Sequence, residues 1–581
     1  MCCFLLNSGS VSSVQSVCIG LCPYESAGSA RGAPNLLTLS PHAARTMLRE
    51  YTAQPLLTDF YQFTMAYGYW KCGREQSNAV FELYFRENPR ESEFTIFAGL
   101  QDCLLFVSNY KLKEEDIDFL QTVLPPTTDP AFYDYLRNID TSTVTLRAVP
   151  EGSVVFPKVA LLEVEGPLAI LQLLETPLLT LVNYASLVAT NAARFRLAAG
   201  PGKQLLELGL RRAQGPDGGL SASRYSYIGG FDGTSNVIAG KLYTIPLFGS
   251  MAHSYITSFT SMSEVKVQQT LRPASGGPEV NFVSLCEKWL FQVCIHLQMP
   301  QNRTNSSEFA AFISYATTYP RHFIALVDSY SVMSSGVPNF CAVSLALDEL
   351  GYRARGVRLD SGDQLEQSLR IRSSLQACAD QFAVSWLAAV PIIISNSISL
   401  NQLINLQHQD NEVDCIGVGT NLVTCPLQPS LGCVYKLSQV DGEPRIKMTE
   451  EEGKMTLPGK KAVYRLYGTD GSPFLDLLTL AEEPELRADE EIKCYALTGR
   501  CAGFWVTAVR VETLHRVYYQ HGQICESLCT TSEIRRHAQS SLNNLAPKYK
   551  HLHDPAPYQV AISQKLRDLL DDLIKKSSPS A

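Results

Sequence analysis

The chain has 581 residues, 45% of them hydrophobic and 18% charged, which is too long for one ordinary core and too apolar for a disordered chain; two or three packed domains are expected. A formal net charge of −8, with no block of Lys and Arg, argues against nucleic acid as a partner, so any anionic ligand must be held by local groups. No apolar run approaches the roughly 20 residues that cross a bilayer, and the 17 cysteines form neither a CxxC pair nor a Cys/His cluster at zinc spacing, which points to a reducing compartment and leaves no metal site readable.

In chain order, residues 1–53 are Ser- and Cys-rich, with Glu25 the only acidic residue before Glu50, and read as a disordered extension. They lack the basic start of a secretory signal; their acid-poor composition leaves organellar targeting as an alternative to the cytosol. Thr58 or Asp59 is placed to cap a helix through Phe60, Tyr61, Met65 and Tyr69. Strand-like runs follow over 78–85 and 153–164, then a helix that begins near Pro177 and carries Asn183 to Arg196.

From about residue 240, short apolar runs of buried-strand type end abruptly in polar or glycine residues, with helix-length segments between them. Thr244 to Phe248 runs into Gly249-Ser250-Met251-Ala252-His253, Phe323 to Val327 into Asp328, and Gly356-Val357 into Arg358-Leu359-Asp360-Ser361-Gly362-Asp363. Pro391 to Ile394 ends in Ser395-Asn396-Ser397, and Asp414 to Val418 in Gly419-Thr420. Five strands that finish in reactive residues predict an α/β fold of the β/α-barrel kind, with one site assembled at the strand ends. A doubly wound open sheet gives a similar alternation and is the structural alternative.

His253 follows a strand end, and two acidic strand ends, Asp328 and Asp360, are available to fix its tautomer and stabilise a cation on it, as a phosphoryl-accepting imidazole needs. Arg358 and Asp360, two apart on a strand, share a face. Their bland reading is a self-satisfied ion pair; the functional one is a guanidinium fork for a carboxylate ligand. Gly417-Val418-Gly419-Thr420 offers backbone N–H groups and a hydroxyl to a phosphate. No Walker A loop is present: Gly453 to Gly459 is followed by Lys460-Lys461, but the two glycines are one residue too far apart and no Ser or Thr follows the lysine. The sequons at Asn302 and Asn305 read as chance.

Taken together, LLTDFYQFTMAYGYW, YFRENP, SLVATNAAR, RRAQGPDGG, YIGGFDGTSNVIAG, GSMAHS, VDSYSV, GVRLDSGD and IGVGTNLVT resemble, in order, the vertebrate-type nicotinate phosphoribosyltransferases. The resemblance implies the irregular β/α barrel of the type II phosphoribosyltransferases at 176–430, an N-terminal α/β domain at 54–175, and a C-terminal domain at 431–581, part of which packs on the N-terminal one. It implies ATP-coupled synthesis of nicotinate mononucleotide from nicotinate and 5-phosphoribosyl 1-pyrophosphate in NAD salvage, with Mg²⁺ (or Mn²⁺), in a homodimer whose sites are shared between subunits.

By the same resemblance His253 is the residue phosphorylated by ATP, with Asp328 and Asp360 beside it. Arg358 and Ser250 hold nicotinate, and Tyr61 of the partner subunit stacks on its ring. Thr420 and the backbone of Gly417 and Gly419, helped by Arg194 and Lys436, bind a phosphate of phosphoribosyl pyrophosphate. The chain departs from the family pattern where Ser250 replaces Thr, Arg90-Glu91-Ser92-Glu93 a glycine-rich turn, Cys433 a glycine, and Ser399-Leu400 an acidic pair. None of these removes a proposed catalytic group. The nicotinamide-using relative is the nearest rival, but it carries an Asp where Ser235 stands; a catalytically inactive homologue is the other.

Overall fold

A computed structural model describes residues 53–577 except Glu91, 266–268, 450, 452–453 and 498–501. Of the segments singled out above, residues 1–52, Glu91 and Gly453 lie outside the described residues.

The N-terminal strand Asn78–Phe85 reads as a run rather than an alternation because both of its faces are covered, and all but its first residue are buried. It pairs antiparallel with Leu162–Pro167 on one side and with Cys433–Val440 on the other. The seven-stranded sheet continues through Thr145–Ala148 to Arg516–Gln520 and Gln523–Ile524, so it draws strands from both ends of the chain. A second sheet, of six strands, is built from residues beyond 460.

The predicted single run over 153–164 is instead two strands. Val154–Val155 pairs with Thr95–Ile96, and Leu162–Pro167 joins the large sheet. Pro157 cannot donate to a ladder and Lys158 turns the chain with φ at 70°, which breaks the run. The helix predicted near Phe60 spans Phe60–Lys71, but the Asp59 side chain accepts from Thr176 Oγ1 (3.0 Å) rather than from the helix's own N–H groups.

The helix Glu175–Ala199 runs from the N-terminal sheet into the barrel and is buried on most of its faces. Gly229 lets Gly215–Gly229 press against it: a Cβ there would stand 2.3 Å from the Ala189 carbonyl. The fully buried Arg224 of that second helix is tied to Asp102 (2.8 Å) in the N-terminal domain.

The third large sheet is parallel throughout, in the order Ile324–Leu326, Gly356–Leu359, Ile392–Ile394, Cys415–Val418, Gln204–Glu207, Gly233–Thr234. The expected strand Thr244 to Phe248 contributes only a bridge between Leu247 and Thr234; Thr244 has φ at 55°, which ends the preceding helix and leaves too few extended residues for a longer ladder. These seven positions would span about 29 Å in a flat sheet at ~4.8 Å per strand. They do not lie flat. Ile324 from the first strand and Phe248 from beyond the last pack in one inner cluster with Leu206, Leu208, Ile393 and Cys415, and His253 reaches Asp328 across the two edges at 3.0 Å. The open-sheet alternative is thereby excluded, and the architecture is an irregular barrel whose seam is closed by a pair of side chains.

Candidate active site

The mouth of the barrel is built from the residues that follow its strands. Asp328, directly after Ile324–Leu326 and Val327, has a side chain only 2% exposed, against 42% for His253. Both of its oxygens are committed: Oδ1 faces His253 Nε2 at 3.0 Å, and Oδ2 accepts from the Asp360 backbone N–H (2.9 Å) and from Ser361 Oγ (2.6 Å). A carboxylate oxygen accepts, so Nε2 is the ring nitrogen that donates in this contact and Nδ1 is the one turned away from Asp328.

Arg358 points into the barrel with Asp360, as their spacing on the strand requires. Its Nε donates to Ser395 Oγ (3.0 Å) and its Nη2 to Asp360 Oδ1 (3.1 Å), while Ser395 Oγ itself bonds Asp360 Oδ1. The side edge of the guanidinium is thus filled from within the protein. Its end edge, Nη1 with the second hydrogen of Nη2, has no partner among the described residues and is the edge a ligand carboxylate would take. Ser395 is held by Gln364 Nε2 on its carbonyl (2.5 Å), and the next two residues, Asn396 and Ser397, both adopt positive φ (84° and 55°). Such local strain gathers at functional loops.

On the opposite side of the mouth, Gly417 lies within the strand rather than in the turn, and Leu208 takes the space a side chain would need (2.4 Å from a Cβ). Packing therefore accounts for that glycine. Gly419 is open, with nothing closer than 3.6 Å to a Cβ, and Thr420 is exposed just past it. Asn191, from the Glu175–Ala199 helix, steadies this turn by donating to the carbonyls of Asn421 and Leu422 (3.0 Å each).

The reading from sequence missed the strand Gln204–Glu207, whose end adjoins this turn: a Cβ on Gly209 would approach the Gly419 carbonyl to 3.0 Å. Glu207 is buried, bonds the Gly209 N–H, and accepts from Ser223 Oγ (2.8 Å) and Thr234 Oγ1 (2.5 Å). It thereby sets the loop that leads to the exposed Arg211 and Arg212. The strand is only four residues long, and the run RRAQGPDGG, which begins at Arg211 just beyond Glu207, was the nearest signal in the sequence.

The other expected residues are not gathered here within one chain. Ser250 is half-buried three residues before His253. Arg194 is buried, donates to the Arg90 carbonyl (3.1 Å) and lines a cavity of about 110 Å³ with Asn191 and Asn421. Tyr61 is 47% exposed on its helix, beside a cleft of about 330 Å³ that Thr176, Asn183 and Ser430 share. Lys436 stands on the seven-stranded sheet. Burial lowers its pKa; nearby Glu175 opposes that shift, and the like charges of Arg86 and Lys447 add to it. Lys158 is lowered in the same way by burial and by Arg86. This cationic group contains Arg86, Lys447 and Lys158, which the sequence did not single out because they are far apart along the chain.

Among the described residues no group of three His, Cys, Asp or Glu is disposed to hold a metal ion, and no helix is long and apolar enough to cross a membrane. The Asn305 side chain caps Ser306–Thr318 by accepting from Ser307 N (2.9 Å) and Glu308 N (3.1 Å), a packed role that a glycan could not share.

Residues 56–183 match the nicotinate phosphoribosyltransferase N-terminal domain family and residues 460–570 the corresponding C-terminal domain family. A nicotinate phosphoribosyltransferase of Bos taurus is 54% identical over 522 residues, covering 90% of this chain and 97% of the relative. The crystal structure of the human nicotinic acid phosphoribosyltransferase superposes with a TM-score of 0.82 at 51% identity, covering 89% of this chain and 99% of that one. A nicotinate-nucleotide pyrophosphorylase from Pyrococcus furiosus, at 19% identity and a TM-score of 0.52 over 84% of this chain and 94% of its own, shares the fold.

Proposed function

The chain belongs to the nicotinate phosphoribosyltransferase family, and from that premise we propose how its barrel mouth joins nicotinate to 5-phosphoribosyl 1-pyrophosphate and couples that reaction to ATP. The observation that carries the coupling is the pair His253–Asp328, braced by the Asp360 N–H and Ser361 Oγ. With Nε2 held by Asp328, Nδ1 attacks the γ-phosphorus of ATP; the N–P bond forms as the bond to the ADP oxygen breaks. Asp328 stabilises the imidazolium that results. Phosphorylation is not needed for the sugar chemistry. It improves capture of phosphoribosyl pyrophosphate and draws the equilibrium toward nucleotide.

Arg358 presents its open end edge to the nicotinate carboxylate, with Ser250 as a further donor, and this orients the pyridine nitrogen toward the ribose anomeric carbon. Displacement there forms the N–C bond as pyrophosphate leaves. Thr420, Gly419 and the exposed Arg211 face the phosphate end, and Arg194 supports them from behind. Gly417 serves by packing. Ser235, in place of an acidic residue, spares the ligand carboxylate a like charge.

Mg²⁺ (or Mn²⁺) fits as an ion that arrives on the polyphosphates, because it keeps phosphate and water ligands and needs only one or two carboxylates from protein. Asp360, whose Oδ2 has no partner among the described residues, is the group that would hold it. The ion would neutralise charge on the leaving pyrophosphate.

A homodimer completes the site in this reading. Leu57, Phe60, Tyr61 and Met65 stand exposed together, as do Val237, Ile238 and Leu247 at the barrel rim, and such surfaces call for a partner. Tyr61 then stacks on the nicotinate ring of the other subunit, and Lys436 with Arg86 and Lys447 meets the pyrophosphate. The cytosol is the compartment this reading favours, supported by the free state of every described cysteine. The test compares nicotinate with nicotinamide, each with and without ATP. Preference for nicotinate, with ATP stimulation and acid-labile phosphate on His253, is expected. Equal use of the amide, or indifference to ATP, would overturn the specificity or the coupling respectively.

A further inference from the structure

A second polar group lies immediately behind Asp328. Glu308, on the Ser306–Thr318 helix, is fully buried. Its Oε2 accepts from Ser335 Oγ (2.5 Å) and Asn339 Nδ2 (3.1 Å), and Asn339 also reaches the Asn305 carbonyl (3.2 Å). Ser335 Oγ accepts from the Asn305 N–H (2.8 Å). Ser335 belongs to Val332–Gly336, a single π-helical turn of the kind often found at functional sites.

That turn is pressed onto the strand that carries Asp328. A Cβ on Gly336 would lie 2.1 Å from the Val327 carbonyl oxygen, so backbone rests on backbone, and the next residue after Val327 is Asp328. The chain of contacts runs from Glu308 through Ser335 and Gly336 to Val327, and from there to Asp328 and His253.

We propose that Glu308 is a positioning residue for phosphoryl transfer: by bonding Ser335 and Asn339 it locks the Val332–Gly336 turn against Val327 and so sets the height at which Asp328 meets His253 Nε2. The inference rests on the reading of His253 as the phosphorylated residue. Burial pushes the Glu308 carboxyl up to about 7, and nearby Asp328 adds to the shift. A carboxyl that readily holds its proton can be placed behind Asp328 without a second full negative charge to oppose it.

The test separates two activities of the full-length enzyme, namely acid-labile phosphorylation with ATP, and nucleotide synthesis without ATP. Glu308→Ala should slow phosphorylation roughly ten- to a hundredfold, the cost of misplacing a catalytic pair by about an ångström, while synthesis without ATP falls by much less. Glu308→Gln keeps a carbonyl to accept from Ser335 and should restore most of the phosphorylation. Gly336→Ala, which drives a methyl into the Val327 carbonyl while leaving the carboxyl intact, should reproduce the selective loss, and it carries the test should Glu308→Ala not fold. Equal losses of both activities in folded variants would reduce Glu308 to a packing residue and overturn the proposal, as would unchanged phosphorylation in both alanine variants. Absence of phosphohistidine in the unsubstituted enzyme is a separate result, and it would remove the premise itself.

Discussion

Arg358 shows how far one side chain's role can be argued from geometry. Its side edge is filled by Ser395 and Asp360, so a lysine at this position would lose both internal bonds as well as the end edge offered to the ligand. Arg358→Lys should therefore weaken nicotinate by about 1.5 to 3 kcal/mol, roughly ten- to a hundredfold in apparent affinity, and weaken phosphoribosyl pyrophosphate and nicotinamide less. Apparent affinities for all three on a variant with unchanged circular dichroism decide the matter: equal losses for acid and amide would assign Arg358 to structure instead. His253→Ala should abolish ATP hydrolysis and acid-labile phosphorylation yet leave some synthesis without ATP, because the imidazole acts in coupling; stoichiometric phosphate on the variant would place the acceptor elsewhere. At this scale the sequence was informative where chemistry is local. Arg358 and Asp360 sit two apart on one strand, and their shared face follows from strand geometry. Ser395, Glu207 and the group around Arg86 were not legible as partners, since hydroxyls and lone charges carry no marker until folding brings them together.

At the scale of elements, most boundaries followed from where apolar runs stop, and the exceptions have identifiable causes. Pro157 and the positive φ of Lys158 split one predicted strand, and the left-handed Thr244 shortened another to a bridge. Ser399, which stands where the family pattern has acidic residues, forms a capping box with Gln402 at the start of Leu400–His408, so the departure replaces charge with a helix cap. The helix Thr531–Asn544 illustrates what sequence pattern omits. Its Arg535 bonds the carbonyls of Phe231 and Tyr227 and pairs with Asp232 Oδ1 (2.9 Å), while Asp232 also holds Arg196 (2.6 Å) and the Leu205 N–H (2.9 Å) at the start of a barrel strand. Arg535→Ala leaves two carbonyls and half of a carboxylate without their donor, and should destabilise the fold by about 2 to 3 kcal/mol. Because Asp232 lies at the opposite end of its strand from the mouth, affinity for nicotinate should hardly change. Urea unfolding followed alongside substrate titration tests both halves; an unshifted midpoint would mean that this helix is not anchored through Arg535.

For the whole molecule, the least legible feature is the pairing of distant strands. Nothing local in Asn78–Phe85 announces that its neighbour is Cys433–Val440, because an apolar strand buried on both faces accepts many partners by pattern alone. The barrel, by contrast, could be anticipated from five strand ends rich in reactive groups, although its seam across His253 and Asp328 could not. The same long-range organisation puts Tyr61 on the Phe60–Lys71 helix and Lys436 on the seven-stranded sheet, away from the barrel strand ends that carry the His253–Asp328 pair, which makes the shared-site reading open to a direct count. If each site takes Tyr61 from one subunit and His253 from the other, dimers of Tyr61→Ala alone lack the ring stack, and dimers of His253→Ala alone lack the coupling. After subunits are mixed in equal amounts and allowed to exchange, half of the dimers are mixed, and each of these has one site with both groups intact. ATP-coupled activity should then recover to about a quarter of the unsubstituted value, as random pairing in a twofold dimer requires. Were both residues to act within the same subunit, each mixed dimer would hold two singly defective sites, and mixing would restore nothing.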